Sequence, residues 1–348
     1  MSVHILGAGA MGMLVAHELA VARQMTPTLL LRSRSRLEAY KSAGSAVSVL
    51  RRDDSGVSTS KMEMGAICSP PLDTQGKPVH IDNLILSTKA HVAVDAVRPY
   101  VQNLSSSSTL LLLQNGMGVS AALQDALWPS RLNMPSFFQA ISTHGAYKPN
   151  PTTVHHVGLG SLVMAPLGTA PDSASPPPLL RALEACSALQ AQCMAFEPFL
   201  LRQMEKLVAN ACINPLTAVL DCLNGDLLYG TKIPPIMKRV IRECVDCFRA
   251  EYAVLSRIPN ARTYLDRDRL LASVVELCKN TSQNSSSMRE DVRHLHRTEI
   301  DWINGYIVTL GYRHGIPTPT NRMLVEMVKN KVAIEQAKEN LALKRDRF

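Results

Sequence analysis

The sequence predicts an α/β domain with a doubly wound, mostly parallel sheet, followed by an all-α domain. Short apolar runs alternate with helix-compatible segments through the first half, and a glycine-rich turn follows the first run. Beyond Glu197, apolar residues recur with a period near 3.6 and strand signals become rare. A chain of 348 residues is long enough for two domains, which we predict at residues 1–196 and 197–348.

The individual elements follow from local patterns. A strand is predicted over Val3–Leu6, with a helix after the glycine turn that extends to about Ala22. Residues 46–80 are predicted as short strands and loops, and Asp172–Pro178 as an exposed loop because of its serines and prolines. The remaining strand-like segments are Thr28–Leu31, Leu84–Leu86, Thr109–Leu113, and those around Phe137–Tyr147 and Thr152–Pro166.

Composition excludes several classes of protein. The formal charge is +8, but basic residues are interleaved with acids and only 5% of residues are aromatic, which argues against nucleic-acid binding. No apolar run reaches the roughly 18 residues of a membrane span. The N-terminus lacks a presequence pattern, so the sequence predicts a cytoplasmic protein. The eight cysteines are spread through predicted elements, as reduced thiols usually are.

The glycine turn predicts a dinucleotide site. Gly7, Gly9 and Gly12 match GxGxxG between a strand and a helix. The first glycine permits the tight turn, the second lets the backbone approach a pyrophosphate, and the third allows close packing of helix on strand. The helix N-terminus attracts the phosphates. The predicted cofactor-binding residues of this turn are Gly7, Ala8, Gly9, Ala10, Met11 and Gly12.

The end of the second strand indicates which dinucleotide binds. An NAD enzyme usually has Asp or Glu there to accept from the ribose 2′-hydroxyl, but this chain has no acid before Glu38. Arginine binds a 2′-phosphate through paired, charge-assisted hydrogen bonds. We therefore predict NADPH as the cofactor, with Arg32 as the first contact and Arg34 as the second; a solvated basic loop is the alternative.

A polar stripe occupies one predicted helix of the second domain. Lys206, Asn210 and Asn214 follow one another at spacings of four and so share one face. Such a stripe faces either water or a polar ligand, because buried unpaired polar groups cost about 1–3 kcal/mol. Pro215 is expected to disturb the helix, so the shared face is most secure for Lys206 and Asn210.

Taken together, these motifs resemble a known family. With the glycine turn, Lys89 in STKAH, Asn115 in QNGMG, the Lys206 helix and Glu299 in TEIDWINGY, the chain resembles ketopantoate reductases (2-dehydropantoate 2-reductases) from residue 3 to about 320. The resemblance implies reduction of 2-dehydropantoate to (R)-pantoate by NADPH, giving NADP⁺, on the route to pantothenate and coenzyme A. It also implies a Rossmann-type domain and a helical domain with the active site in the cleft between them.

The resemblance also implies roles for individual residues. Lys206 would protonate the developing alkoxide, which is reasonable because a fixed ammonium stabilises and protonates such an oxygen. Glu299 would bind the substrate hydroxyl and hold the lysine in place. Lys89 and Asn115 would lie near the nicotinamide and the substrate carboxylate. The further substrate contacts would be Asn210, Asn214, Asn224 and Ser287.

Alternatives remain open at several positions. Lys89 could be a surface lysine, Asn115-Gly116 a simple turn, and Asn224-Gly225 a helix C-cap. Glu299 could pair with Arg297 or Arg293 on a solvated face, and the register of Ser287 in its serine run is the least secure. At the level of function, the alternatives are a reductase of another small 2-keto acid and a non-catalytic NADP-binding module. No metal site is predicted, and the basic stretch Met327–Phe348 would suit a homodimer contact or a solvated tail.

Overall fold

The structure, a computed structural model, describes residues 2–53, 56–167 and 176–345. It divides the chain into two compact units. The first comprises residues 1–114 and 119–199, and the second comprises residues 115–118 and 200–348. One short loop from the first third of the sequence therefore belongs to the second unit. Of the predicted loop at Asp172–Pro178, residues 172–175 lie outside the described residues.

Within the described residues, the first unit contains an eight-stranded sheet. Its strands are β1 (Ser2–Leu6), β2 (Thr26–Leu30), β5 (Gly65–Ile67), β6 (Asn83–Leu86), β7 (Thr109–Leu112), β8 (Ser136–Ser142), β11 (Leu162–Pro166) and β12 (Ala191–Cys193). Their order is β12-β11-β8-β7-β6-β1-β2-β5, and every pair is parallel except β8 with β11. This arrangement confirms the predicted doubly wound, mostly parallel sheet.

A second sheet of four strands was not predicted. Its strands are β3 (Ala46–Asp53), β4 (Gly56–Glu63), β9 (Gly145–Asn150) and β10 (Thr153–Gly158), in the order β4-β3-β10-β9. The prediction of short strands and loops over 46–80 was therefore incomplete, because β3 and β4 are eight residues each and form a hairpin. The β4 strand is mostly exposed and polar, so it has no apolar signal in the sequence; its ladder to β3 holds it.

Helix α1 (Ala10–Val21) contacts strands of both sheets and is buried over most of its length. Val47 and Val49 of β3 lie in the same core as Met13 and Leu14 of α1. The other helices of this unit are α2 (Arg34–Ser42), α3 (Ala93–Val97), α4 (Val119–Leu127) and α5 (Pro178–Glu184). The glycine turn thus lies at the start of a helix that the core fixes on several sides.

The second unit is helical. Its helices are α6 (Phe196–Leu220), which begins in the last residues of the first unit, α7 (Ile233–Glu251), α8 (Ala261–Tyr264), α9 (Arg267–Asn280), α10 (Ser287–Arg293), α11 (Asn304–His314) and α12 (Pro319–Arg345). The part of this unit that the structure describes contains no β-strand, which confirms the predicted all-α domain. In the described ranges no helix combines the length and the apolar character needed to cross a bilayer.

Candidate active site

The glycine turn has the close contacts that its sequence predicts. Gly7 has φ +118°, and a Cβ there would lie 2.6 Å from the backbone of Ser87. At Gly12 a Cβ would lie 2.1 Å from the Gly7 carbonyl oxygen. The Ser87 hydroxyl donates to that same carbonyl oxygen at 2.6 Å. These two glycines therefore allow β1, α1 and the end of β6 to pack closely.

Gly9 lies in a different environment, which suits a phosphate. A Cβ at Gly9 would meet no atom within 4 Å, so the outer side of the turn is open. Gly9 is the N-cap of α1, makes no side-chain cap, and no acidic residue lies in the first helical turn. The open approach, the helix N-terminus and the lack of negative charge fit the pyrophosphate of a dinucleotide.

Lys148 adds a positive charge to this turn, and no sequence motif indicates it. Its ammonium, extending from β9, donates to the Ala8 carbonyl oxygen at 2.7 Å. Burial lowers the pKa of Lys148, and the nearby Arg36 guanidinium lowers it further. In the sequence, a lysine within a strand is indistinguishable from an ordinary half-exposed residue. Lys148 reaches the turn only because the second sheet packs beside α1.

The two arginines predicted to select the cofactor differ in their surroundings. Arg32 is exposed and lies two residues after the end of β2, at the carboxyl edge of the sheet. Arg34 lies in the first turn of α2, where its guanidinium Nε donates to the Glu38 carboxylate at 3.1 Å. Lys89 follows β6 at the same edge and is half-buried. The open arginine after β2 is the more suitable contact for a 2′-phosphate.

In the second unit, Lys206, Asn115 and Glu299 come together. The Lys206 ammonium donates to the Asn115 carboxamide oxygen at 3.1 Å. Burial lowers the pKa of Lys206 to about 8, while the Glu299 carboxylate acts in the opposite direction. Glu299 is only 6% exposed, so it does not lie on a solvated helix face. The two arginines considered as salt-bridge partners of Glu299 pair with other carboxylates: Arg297 with Asp301 at 3.5 Å and Arg293 with Asp221 at 4.0 Å.

Asn115 is held by the loop that contains it. The Met117 amide donates to the Trp302 carbonyl oxygen at 3.0 Å. Gly116 has φ +87°, and a Cβ there would lie 2.3 Å from that same oxygen. Gly118 has φ +92°, and its Cβ would lie 3.1 Å from the Tyr306 ring. The loop is thus fixed against the segment that follows Glu299, and this places the Asn115 carboxamide on the lysine.

The predicted substrate contacts fall into two groups. Asn210 and Asn214 lie on α6 with Lys206; Asn210 is half-buried, Asn214 is 8% exposed, and neither carboxamide has a hydrogen-bond partner among the described residues. Asn224 instead joins the α9–α10 connection, since its Nδ2 donates to Thr281 Oγ1 at 3.0 Å. It begins a 3₁₀ turn with φ −60°, so it is not the C-cap of α6.

Ser287 is exposed and begins α10. Its neighbour Ser286 is the N-cap, accepting from the Arg289 amide at 3.1 Å. The Ser286 hydroxyl also lies 2.8 Å from the Thr217 hydroxyl of α6. Through this contact the start of α10, and with it Ser287, is fixed to the helix that carries the lysine.

The cysteines form neither a metal site nor a disulfide. All eight are free thiols, and the described residues contain no group of three or more His, Cys, Asp or Glu side chains that could hold a metal ion. Burial raises the pKa of Cys247 to about 11 and holds the pKa of Cys244 well above its ordinary value. These two thiols of the CxxC sequence are therefore inert core residues.

Comparison with known proteins identifies the family of this chain. The family described as "Ketopantoate reductase PanE/ApbA" matches residues 3–169, and its C-terminal part matches residues 199–332. The chain belongs to the ketopantoate reductase family. It is 34% identical over 347 residues to the probable 2-dehydropantoate 2-reductase of Schizosaccharomyces pombe, covering 97% of this chain and 98% of that protein. The predicted resemblance and the oxidoreductase class are thereby confirmed.

Solved structures have the same fold. A probable 2-dehydropantoate 2-reductase from Bacillus subtilis superposes with a TM-score of 0.72 at 26% identity. The superposition covers 95% of this chain and 100% of the other. A D-mandelate dehydrogenase bound to NADH and anilino(oxo)acetate superposes with a TM-score of 0.78, covering 96% and 98% of the two chains. At 21% identity, that second likeness shows the fold alone.

Proposed function

We propose that this member of the ketopantoate reductase family reduces 2-dehydropantoate to (R)-pantoate with NADPH, a step on the route to pantothenate and coenzyme A. The observation that carries the proposal is the half-buried Lys206, which donates to Asn115 at 3.1 Å and interacts with the Glu299 carboxylate. The relative with 34% identity is named for this reaction and matches nearly the whole chain.

The chemistry requires a proton donor whose charge is held in place. NADPH supplies a hydride to the keto carbon, and negative charge then develops on the keto oxygen. A lysine with a pKa of about 8 is mostly protonated at neutral pH and is a better acid than an exposed lysine. Glu299 keeps the ammonium charged and accepts a hydrogen bond from the substrate hydroxyl. The carboxamides of Asn115, Asn210 and Asn214 supply further donors and acceptors for the keto acid.

The cofactor proposal depends on the turn and the arginines. The open side of Gly9, the N-terminus of α1 and Lys148 suit the pyrophosphate, while Arg32 suits a 2′-phosphate. No acid follows β2 before Glu38, so the usual partner of an NAD ribose is missing from that position. NADPH is therefore the expected cofactor.

The proposal is tested by following NADPH oxidation with 2-dehydropantoate in the wild type, Lys206→Ala and Glu299→Gln. We expect turnover in the wild type and a loss of about 10²-fold or more in Lys206→Ala, with NADPH binding retained. The wild-type kcat/KM should fall as pH rises through about 8, because Lys206 loses its proton. In Glu299→Gln this alkaline limb should move to lower pH, since Glu299 raises the pKa of Lys206.

Two other outcomes would lead to other functions. The D-mandelate dehydrogenase in the comparison binds NADH and an oxoacetate, so benzoylformate with NADH is the control substrate pair. Turnover of that pair but not of 2-dehydropantoate would indicate a reductase of a different 2-keto acid. NADPH binding without turnover of either acid would indicate a non-catalytic binding module.

A further inference from the structure

Pro215 leaves a gap in the hydrogen bonding of α6. In an α-helix the amide of residue 215 would donate to the carbonyl of residue 211, but proline has no N–H. Pro215 nonetheless lies inside α6, and Ala211 is fully buried. A buried carbonyl without a donor is costly, so Ala211 needs a donor from elsewhere.

Asn304 supplies that donor from another helix. Its Nδ2 donates to the Ala211 carbonyl oxygen at 3.0 Å and, with its second hydrogen, to Asn321 Oδ1 at 3.0 Å. Asn304 is fully buried, at 0% exposure, as the first residue of α11. Nothing in the sequence spacing indicates this contact, because the two residues are far apart along the chain.

The direction of these hydrogen bonds is set by a buried carboxylate. Glu243 of α7 is 2% exposed and accepts from the Thr320 amide at 3.0 Å, the Asn321 amide at 2.9 Å and Asn321 Nδ2 at 2.7 Å. Both Glu243 oxygens accept from backbone amides, so Asn321 turns its Nδ2 toward Glu243 and its Oδ1 toward Asn304. Asn304 must then present its Nδ2 to both acceptors.

The opposite orientation of Asn304 would place its Oδ1 against two other acceptors. In the observed orientation Asn304 Oδ1 is buried and has no hydrogen-bond partner among the described residues. The fold thus leaves one acceptor unsatisfied in order to keep both donors on Ala211 and Asn321. Such an arrangement is costly in a core and indicates that the position of the donors matters.

We infer that Asn304 is a positioning residue that replaces the donor lost at Pro215 and so holds the Lys206 helix against the Glu299 segment. Ala211 lies between Asn210 and Asn214 on α6, and Asn304 follows Glu299 by five residues. One side chain therefore connects the backbone of the lysine helix to the segment that carries the glutamate. The functional part of this inference rests on the proposed function, whereas its structural part does not.

A double-mutant cycle between Asn304→Ala and Pro215→Ala tests the inference, because Pro215→Ala restores the amide at residue 215. In the Pro215 background, Asn304→Ala should lower the Tm by about 4–8 °C. In the Pro215→Ala background the loss should be at most half as large, since Ala211 regains a donor. An equal loss in both backgrounds would overturn the inference.

A matched control is available in the first unit. Asn103 is 2% exposed, and its Nδ2 donates to the carbonyl oxygens of Pro71 and Val79 at 2.9 and 2.8 Å. Asn103→Ala removes the same kind of contact, and its Tm loss should be the same with Pro215 or Ala at position 215. A changed loss would show that Pro215→Ala acts on the whole protein, and the rescue of Asn304→Ala would then not count as support.

The activity readout separates positioning from simple stability. At a temperature where every variant is folded, Asn304→Ala should lower kcat about tenfold and move the alkaline limb of kcat/KM to lower pH, because Glu299 no longer supports the charge on Lys206. The fall in kcat and the shift of the alkaline limb should both be smaller when Asn304→Ala is combined with Pro215→Ala. An unmoved limb in Asn304→Ala would overturn the positioning role.

The inference can still be tested if Asn304→Ala is insoluble or if the wild type is inactive. If Asn304→Ala is insoluble, Asn304→Ser is used in the same cycle, because the shorter side chain cannot reach Ala211. Solubility only in the Pro215→Ala background supports the inference, and insolubility in both backgrounds overturns it. If the wild type shows no turnover, the proposed function fails, and the Tm cycle alone still decides whether Asn304 replaces the lost donor.

Discussion

At the residue scale, Lys148 and Arg32 are expected to contribute to cofactor binding in different ways. Lys148 donates to the glycine turn, where we propose that the pyrophosphate binds, a part of the dinucleotide that NADPH and NADH share. Lys148→Ala should therefore weaken both cofactors by about tenfold, the cost of one hydrogen bond to a charged group. Arg32→Ala should weaken NADPH by a similar factor and leave NADH unchanged, because only NADPH has the 2′-phosphate. Kd values from the quenching of protein fluorescence would measure this.

Each of these variants is a control for the other, and Lys41→Ala on the exposed end of α2 is a control for loss of positive charge alone. If Lys148→Ala lowers the Tm but leaves both Kd values unchanged, Lys148 only fastens the turn to β9. If Arg32→Ala weakens NADPH and NADH equally, the preference for NADPH has another origin.

The sequence identified the polar residues but only some of their contacts. Lys206 and Glu299 could be named from motifs, and the structure places them in one electrostatic environment. Lys148 and Asn304 could not be identified in this way, because their roles depend on a carbonyl oxygen of a residue distant in sequence. A backbone acceptor carries no side-chain signature, so motif analysis does not detect its partner.

At the element scale, a series of hydrogen bonds connects α1 to two strands of the four-stranded sheet and to the turn that contains Leu189. Arg51 of β3 binds the Glu18 carboxylate of α1 and donates through Nε to His156 Nδ1 at 3.2 Å. His156 Nε2 lies 3.0 Å from His144 Nδ1, and His144 Nε2 lies 2.9 Å from the Leu189 carbonyl oxygen. Since the first contact makes Nδ1 of His156 an acceptor, its Nε2 must donate to His144, so the His156 ring is neutral when every link forms.

This series of hydrogen bonds predicts that the free energy of unfolding falls in acid. The pKa of His156 is lowered to about 4, mainly by burial and also by His144 and Arg51, while Glu18 opposes the shift. Between pH 6.5 and about 4 the unfolded chain binds the extra proton, so the free energy of unfolding falls as pH falls through that window, by about 2–3 kcal/mol. Urea unfolding at pH 7 and pH 4.5 should show a smaller decrease for His156→Gln than for the wild type.

His155→Gln is the matched control, because successive residues of a strand point to opposite faces and His155 contacts Tyr147 instead. It should keep the wild-type dependence on pH. Equal pH dependence of the free energy of unfolding in the wild type and in His156→Gln would mean that this series of hydrogen bonds does not keep His156 unprotonated.

Apolar strands were predictable and polar ones were not. β6 and β7 are buried over all four residues each, so their apolar runs are clear in the sequence. β4 is exposed and polar, and only pairing with β3 makes it a strand. The pairing is a tertiary property, which explains why the second sheet, and with it the position of Lys148, was missed.

At the scale of the whole molecule, the order of an α/β unit and a helical unit could be predicted, since apolar periodicity changes along the chain. The assignment of Asn115–Gly118 to the helical unit could not. In the sequence this loop only follows β7, and the contact that fixes it is the carbonyl oxygen of Trp302. The candidate site therefore depends on a loop whose nearest sequence neighbours belong to the other unit.

Gly116→Ala tests how much the site depends on that loop. The substitution adds a Cβ at φ +87° and 2.3 Å from the Trp302 carbonyl oxygen, so the loop must move and take Asn115 away from Lys206. We expect kcat to fall about 100-fold, more than the affinity for NADPH changes.

Gly76→Ala is the control, because Gly76 has φ +77° but a Cβ there meets no atom within 4 Å. It imposes the same kind of backbone strain, about 1–2 kcal/mol, with no steric conflict and no contact with the site. If Gly116→Ala reduced kcat no more than Gly76→Ala does, the close packing of the loop on Trp302 would not be what places Asn115 on the lysine.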